Sequence, residues 1–163
     1  MADLIKDKAA VVGIANTKVG KLLTETEEEL ACRAVKAALD DAGIDPSEVD
    51  ALCSSTLEST DEEILARNLG MGDIRFFAES PVGGGGGGGT VGFAAMAIAT
   101  GQAEVAVAWR SRKRSGAAAR TWMGTQMRTG GTDQFLQPFG VIRPVDQLAL
   151  LYRRYMEEYG GTR

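Results

Sequence analysis

The chain has 163 residues, of which 44% are hydrophobic and 25% are charged, and its formal net charge is -4. These values describe one ordinary globular domain and exclude a disordered or fibrous segment. Two cysteines and no histidine exclude a disulfide scaffold, a histidine-ligated zinc site and a Ser-His-Asp or Cys-His hydrolase that acts alone.

The first predicted element is a buried strand over Ala9–Ala15, a run of small and β-branched residues of strand length. A helix is predicted next, because Thr26 and Glu29 have the spacing of a capping box and apolar residues recur after them at helical spacing. Gly43 is predicted to end this helix. A second, shorter strand is predicted over Val49–Ser54.

The middle of the chain continues the alternation of helices and strands. Thr60 and Glu63 form a second capping-box pattern before a short helix, which Gly70 is predicted to end. Further strands are predicted over Ile74–Ala78 and Ala103–Trp109. Strands and helices that alternate in this way are typical of an α/β fold with a largely parallel sheet.

Seven consecutive glycines, Gly83–Gly89, precede the apolar segment Thr90–Thr100. A flexible linker is the usual interpretation of such a composition. The apolar segment, however, predicts a helix surrounded by protein, and it is far shorter than the ~20 residues of a membrane helix. An ordered glycine loop lets a ligand approach the backbone closely. It would bring free amides and a helix amino terminus to one point, which stabilises an oxyanion or a thioester carbonyl.

The carboxy-terminal part begins with the polar, glycine-containing stretch Ser111–Phe139, which is predicted to be a lid or interface loop. A final amphipathic helix is predicted from Pro144 to Tyr159. The predicted organisation is therefore an α/β core over residues 1–110, followed by a loop and a final helix of the same domain over residues 111–163.

Charge is distributed unevenly along the chain. Residues 1–109 hold 8 Lys and Arg against 18 Asp and Glu, whereas residues 110–163 hold 10 against 4. The basic cluster Arg110–Arg114 has no aromatic residues among its charges, so a nucleic-acid partner is not expected. Contact with the phosphates of coenzyme A and a solvated edge remain alternatives for this cluster. Packing is the expected role of the other conspicuous side chains, which are Cys32, Cys53, Trp109, Trp122, Met123, Tyr152, Tyr155 and Tyr159.

Several segments share the order of one family's motifs. They are Ala-Val-Val-Gly-Ile-Ala near the start, the helix sequence of residues 26–46, Val-Asp-Ala-Leu, the glycine-rich turn with Gly-Thr-Val-Gly-Phe-Ala-Ala-Met-Ala-Ile-Ala-Thr-Gly-Gln-Ala, Val-Ala-Val-Ala-Trp-Arg, Gly-Val-Ile-Arg-Pro and Tyr-Arg-Arg-Tyr-Met-Glu-Glu-Tyr-Gly. In this order the chain resembles the amino-terminal half of the thiolase superfamily, and most closely its non-specific lipid-transfer branch. The resemblance implies a thiolase-like layered sandwich (α/β/α), present as its amino-terminal half only.

The resemblance also implies where a substrate binds. Thiolases place a cysteine nucleophile at the amino-terminal tip of the buried helix, and the matching position here is Gly88. The chain therefore has no thiolase nucleophile, and no catalytic residue and no metal ligand are assigned to it. The implied substrate-binding residues are Gly86, Gly87, Gly88, Gly89 and Thr90.

Some cysteine-free members of this branch are retro-aldolases. They cleave steroid side-chain acyl-CoA thioesters with tyrosines from the carboxy-terminal half, and they work with an OB-fold partner protein. The leading hypothesis is accordingly an acyl-CoA-binding, thiolase-like lipid-transfer protein that forms part of such an aldolase. A non-catalytic scaffold or binding subunit and a truncated acetyl-CoA acetyltransferase are the alternatives.

The remaining expectations concern cofactors, partners and location. Coenzyme A is expected only as part of the substrate, with no separate cofactor. Because a half thiolase would leave an apolar helix uncovered, the chain is expected to form a homo-oligomer or to bind a partner. Without a signal-like or membrane-spanning segment, a cytoplasmic location is expected, with no membrane contact.

Overall fold

A computed structural model describes residues 5–20, 23–56, 60–81, 85–113, 131 and 133–161. The chain divides into two compact units, Met1–Lys113 and Arg114–Arg163, whereas the sequence predicts a core over residues 1–110 and a loop with a final helix of the same domain over residues 111–163. In the part of the chain that is described, no helix is long and apolar enough to cross a membrane.

The first unit is built on one parallel sheet. Its elements are α1 (Glu27–Ala42), β1 (Ala51–Ser55), α2 (Glu62–Leu69), β2 (Phe76–Ser80), α3 (Gly86–Ala99) and β3 (Ala106–Ala108). The strand order is β2-β1-β3, so β1 is the central strand and pairs in parallel with both neighbours. A helix connects each strand to the next, because parallel strands need a crossover connection. The predicted α/β class with a parallel sheet is confirmed.

Helices pack on both faces of this sheet, because successive side chains of β1 point to opposite sides. Leu52 belongs to the larger apolar cluster, which includes Val35 of α1 and Leu65 of α2. Ala51 belongs to a smaller cluster with Ala97 of α3. Burial of these side chains holds α1 and α2 against one face of the sheet and α3 against the other.

The helix ends follow their capping residues. The Thr26 side chain accepts a hydrogen bond from the Glu29 amide at 3.0 Å, and Gly43 ends α1 with a φ of 68°, so the predicted bounds of α1 are confirmed. The predicted cap of α2 is wrong. Its N-cap is Asp61, in the extended conformation that this position requires, and Thr60 lies one residue too early to cap it.

The segment Ala9–Ala15, predicted to be a buried strand, is not a strand. Val11 and Ile14 are each 75% exposed. No strand of the described residues pairs with this segment, and a strand requires a partner for its backbone groups. It lies against α1 instead, where the Ile14 amide donates to Asp41 Oδ2 at 3.0 Å.

β2 and β3 begin later than the strands predicted over Ile74–Ala78 and Ala103–Trp109. β2 begins at Phe76 rather than at Ile74, and β3 at Ala106 rather than at Ala103. The physical reason is Asp50, because the residues just before these strands bind its backbone or side chain instead of joining the ladder.

The second unit contains α4 (Asp133–Leu136), a 3-10 turn (Gln137–Phe139) and α5 (Pro144–Tyr159). The prediction of a loop over Ser111–Phe139 is wrong for 133–139, which is helical, while residues 114–130 and 132 lie outside the described residues. The predicted bounds of α5 are confirmed, since it begins at a proline and its N-cap, Arg143, bonds to Asp146.

Candidate functional site

Polar side chains gather at the carboxyl edge of the sheet. β1 ends in Ser54 and Ser55, β2 ends in Ser80, and α3 begins at Gly86. β2 and β3 lie on opposite sides of β1. The chain therefore adds one strand to one side of the central strand and the next strand to the other side. In open α/β sheets, ligands bind outside the carboxyl ends of the strands at such a switch point.

The glycine run forms the start of α3. The prediction of a loop up to Gly89 is wrong, because Gly86 to Gly89 are helical, with Gly85 as N-cap. The Gly89 amide donates to the Gly85 carbonyl at 3.1 Å, so the amides of the three preceding helical residues have no acceptor within the helix. Since none of these three amides has a backbone acceptor among the described residues, they can bind an oxygen atom of a ligand.

The amino terminus of α3 differs from those of the other long helices. α1, α2 and α5 each have at least one acidic residue in their first turn, which offsets the positive end of the helix dipole. The first turn of α3 has no acidic residue, and no side-chain hydrogen bond caps it. Its partial positive charge is therefore not compensated from within the helix.

The glycines at this terminus are of two kinds. A Cβ added at Gly89 would lie 2.6 Å from Ser80 Oγ, and one at Gly86 would lie 3.4 Å from Ser55 Cβ. At Gly87 and Gly88 an added Cβ would meet nothing within 4 Å. Packing against the sheet thus explains two of the glycines, whereas the other two leave the backbone open to an approaching molecule.

Thr90 anchors this terminus to the central strand. Its hydroxyl oxygen lies 2.7 Å from the Gly86 carbonyl oxygen and 3.0 Å from the Ser54 carbonyl oxygen. The hydroxyl proton is therefore used within the protein. Of the five predicted substrate-binding residues, the structure groups all in the first turns of α3, exposes Gly87 and Gly88, and buries Gly86 and Thr90.

Two serines of β1 were missed by the sequence analysis. Ser54 Oγ donates to Glu62 Oε1 at 2.7 Å, whereas Ser55 Oγ is buried and has no hydrogen-bond partner among the described residues. The available signal was a pair of hydroxyl residues at the end of an otherwise apolar strand. The predicted packing role of Trp109 is confirmed by its 7% exposure in the larger cluster, although its indole nitrogen also has no partner in the described part of the chain.

Neither thiol is suited to nucleophilic attack. Burial raises the pKa of Cys53 to about 11 and also raises the pKa of Cys32. A thiol with a raised pKa is protonated at neutral pH and reacts slowly. Cys53 is fully buried, as predicted, and Cys32 is half-buried. Gly88, the position at which the resemblance to thiolases would place a nucleophile, carries no side chain.

The basic segment after β3 is attached to the start of α1. Lys113 Nζ donates to the Glu25 carbonyl at 2.8 Å, and the Lys113 amide donates to Glu27 Oε1 at 2.6 Å. The first of these bonds directs the Lys113 ammonium group to an acceptor within the protein. The predicted residues Arg114, Trp122 and Met123 lie outside the described residues. No group of three or more metal-ligating side chains occurs in the described part of the chain.

The sequence is similar to two curated proteins, while no family model matches it. It is 43% identical, over 159 residues and 94% of the chain, to a steroid side-chain-cleaving aldolase of Thermomonospora curvata. It is 39% identical, over 98% of the chain, to a 17-hydroxy-3-oxo-4-pregnene-20-carboxyl-CoA lyase of Mycobacterium tuberculosis. The chain spans only 41% and 42% of the length of these two relatives.

A solved structure is also similar. It is described as an Ltp2-ChsH2(DUF35) aldolase, and it matches 94% of this chain with a TM-score of 0.76 and 42% identity. The match covers 39% of that structure's chain. The two curated relatives are thus named as a steroid side-chain-cleaving aldolase and a CoA lyase, the similar structure is named as an aldolase, and the chain corresponds to about two fifths of each.

Proposed function

We propose that this chain is the acyl-CoA-binding part of a retro-aldolase that cleaves the side chain of a steroid CoA thioester. The observation that carries the proposal is the 43% identity to a steroid side-chain-cleaving aldolase over 94% of the chain. The amino terminus of α3, with its free amides and its two open glycines, supplies the site at which the thioester carbonyl binds.

The substrate class explains what such a site contributes. In a 17-hydroxy-steroid with a 20-carboxyl-CoA group, the hydroxyl group stands β to the thioester carbonyl. A base removes the hydroxyl proton, the bond between C17 and C20 breaks, and C17 becomes a ketone carbon. The electron pair of that bond passes into an enolate, which is then protonated at carbon. Amides at Gly86–Gly88 would stabilise the negative oxygen of the enolate, and no covalent acyl-enzyme is needed.

A thiolase-like fold with lipid-transfer ancestry belongs to the same proposal. It is supported by the motif order in the sequence and by the glycine at position 88, where a thiolase has its nucleophile. The third hypothesis, a truncated acetyl-CoA acetyltransferase, is less well supported, because the two curated relatives are named as an aldolase and a CoA lyase. Coenzyme A would enter as part of the substrate, with no separate cofactor.

We also propose that the chain works with partners. The name of the similar structure joins two proteins, Ltp2 and ChsH2(DUF35), which supports a protein partner, and the resemblance to the lipid-transfer branch implies that this partner has an OB fold. α3 supports association as well, since Val91 and Met96 on this apolar helix are 50% and 37% exposed. The scaffold alternative remains distinct, because a scaffold would shape another chain's site without binding the thioester.

Native mass spectrometry of the 163-residue chain with a steroid 20-carboxyl-CoA thioester tests the proposal. The proposal predicts a noncovalent adduct of the intact thioester, and no covalent acyl adduct after denaturation. Free coenzyme A serves as the control and is expected to bind more weakly. A chain that takes up no thioester while it forms an oligomer would favour the scaffold alternative, and a covalent acyl adduct would favour thiolase chemistry.

A further inference from the structure

One hydroxyl group at the end of β1 is buried without a partner. Ser55 is 4% exposed, and its Oγ has no hydrogen-bond partner among the described residues. Its neighbour Ser54 is equally buried, but the Ser54 hydroxyl donates to Glu62 at 2.7 Å. Buried polar groups of native proteins are nearly always hydrogen-bonded, and each exception calls for an explanation.

The position of Ser55 suggests that explanation. A Cβ built on Gly86 would lie 3.4 Å from Ser55 Cβ and 3.9 Å from Ser55 Oγ, so the serine side chain faces the first helical residue of α3. The amide of Gly86 is one of the three at that terminus without an acceptor within the helix. The unpartnered hydroxyl of Ser55 therefore faces the residue that carries one of these amides, although the two residues belong to different elements.

The neighbouring hydroxyl of Thr90 cannot donate a hydrogen bond to a ligand at this terminus, because its proton is already directed to the carbonyl oxygens of Gly86 and Ser54. Ser55 Oγ, in contrast, breaks no hydrogen bond when its side chain rotates about the Cα–Cβ bond. Its proton is therefore available to an acceptor beside Gly86 without loss of an internal hydrogen bond. A hydrogen bond formed there is sheltered from water, which strengthens it.

We propose that Ser55 is a substrate-binding residue whose hydroxyl donates a hydrogen bond to the thioester carbonyl oxygen at the amino terminus of α3. The inference rests on the proposed function and adds a specificity determinant to it. A hydroxyl donor beside the amides favours a ligand that places an oxygen atom at this point, and it disfavours a ligand of the same shape that places a methylene group there.

The test compares two ligands on the full 163-residue chain. One is a steroid 20-carboxyl-CoA thioester, and the other is the matching thioether, in which a methylene group replaces the thioester carbonyl. Binding is measured by isothermal titration calorimetry, and the melting temperature is measured on the same samples. The variants are Ser55→Ala and Ser55→Cys, which keeps the volume but donates only weakly, and Ser54→Ala is the matched control.

The inference predicts that Ser55→Ala weakens thioester binding about five- to tenfold, the effect of one lost hydrogen bond, and leaves thioether binding unchanged. Its melting temperature should stay the same or rise, because no internal hydrogen bond is lost. Ser55→Cys should weaken thioester binding to a smaller degree. Ser54→Ala should lower the melting temperature, because it removes the bond to Glu62, without changing the ratio of the two affinities.

Two results would overturn the inference while the proposed function stands. One is a Ser55→Ala variant that binds the thioester as tightly as the unmodified chain. The other is a Ser55→Ala variant that melts as early as Ser54→Ala, since that would mean that the hydroxyl has a structural partner. If the unmodified chain binds neither ligand, the proposed function itself fails, and the inference fails with it.

Discussion

The carboxylate of Asp50 forms an ion pair with the guanidinium of Arg75, and this pair joins the start of β1 to the start of β2. The same carboxylate accepts hydrogen bonds from the amides of Glu104 and Val105, at 3.0 and 2.9 Å, just before β3. One nearly buried side chain thus fixes the amino-terminal ends of all three strands. Their carboxyl ends, where the site lies, depend on this register.

Replacement of Asp50 by Asn should destabilise the fold by about 2–3 kcal/mol, because the neutral side chain loses the ion pair and its NH2 group must face either the Arg75 guanidinium or backbone amides, all of which are donors. Urea unfolding followed by circular dichroism measures the change. Asp40→Asn is the control. Asp40 is paired with Lys36 at 3.1 Å, but both side chains are more than 60% exposed, so this change should stay within about 0.5 kcal/mol.

Asp50 should also make stability depend on pH. Burial raises the pKa of the Asp50 carboxyl. Hydrogen bonds from Arg75 and from the amides of Val105 and Glu104 lower this pKa and together outweigh burial, so it lies below its usual value. A depressed folded-state pKa gives stability that is present above the unfolded-state pKa of about 3.9 and is lost as the pH falls through the folded-state value. Unfolding free energies measured from pH 6 to pH 2 should fall less steeply for Asp50→Asn than for the unmodified chain. Equal slopes would contradict the assignment.

The two kinds of glycine in α3 should respond differently to replacement by alanine. Gly88→Ala should stabilise the fold by about 0.5–1 kcal/mol, because the added methyl group meets nothing and glycine is unfavourable within a helix. Gly89→Ala should gain less or lose stability, because its Cβ would lie 2.6 Å from Ser80 Oγ. Thermal unfolding of both variants compares them directly. A larger gain in stability at position 89 than at position 88 would contradict the packing of Gly89 against Ser80.

The thiols should be inert unless one is placed at the α3 terminus. With the pKa of Cys53 at about 11 and that of Cys32 also raised, iodoacetamide should label the native chain slowly at pH 7.5. In Gly88→Cys the new thiol lies in open space at a helix amino terminus, where the dipole favours the thiolate. Mass spectrometry of the labelled variant should show one rapidly modified site at position 88. If position 88 reacts no faster than Cys32, the terminus does not have the proposed charge.

The segment Ala9–Ala15 should be held in place by its contact with α1, and a substitution at Gly13 tests this. A Cβ on Gly13 would lie 2.2 Å from the Ala38 carbonyl oxygen and 2.8 Å from Ala42 Cβ, so Gly13→Ala must push the segment away from α1. Amide hydrogen exchange should then be faster at Ile14, whose amide is bonded to Asp41. Gly20→Ala is the control, because its Cβ would approach only the end of the Leu23 side chain, at 3.2 Å. Unchanged exchange in Gly13→Ala would show that the segment is held in another way.

Sequence patterns predicted those elements whose signals are local. α1 has its cap, its apolar face and its terminal glycine within one stretch, so Thr26 and Gly43 marked its ends. The run Ala9–Ala15 misled because burial of a strand depends on a partner elsewhere in the chain, which no local pattern reveals. Gly86–Gly89 were predicted to be a loop, because glycine has a low intrinsic helix propensity. They are helical because this segment packs against Ser55 and Ser80, a contact that no local pattern reveals.

The candidate site was predicted only in part. The glycine run indicated the amino terminus of α3, because glycines before an apolar helix point to close approach of a ligand. Ser55 was not found, because its significance lies in the missing hydrogen-bond partner, a property of the folded structure. Asp50 was missed for a related reason, since its three partners are separated from it by 25 to 55 positions.

Thioester binding at the amino terminus of α3 is tested most directly by calorimetric titration of a steroid 20-carboxyl-CoA thioester into the unmodified chain, Gly88→Leu and Gly92→Leu. Both glycines are helical residues of α3 at which an added Cβ meets nothing within 4 Å, and Gly92 lies one turn beyond position 88. The account predicts that Gly88→Leu weakens binding at least tenfold, because its side chain covers the amides, and that Gly92→Leu changes it less than twofold. Equal affinities for all three chains would contradict binding at the amino terminus of α3.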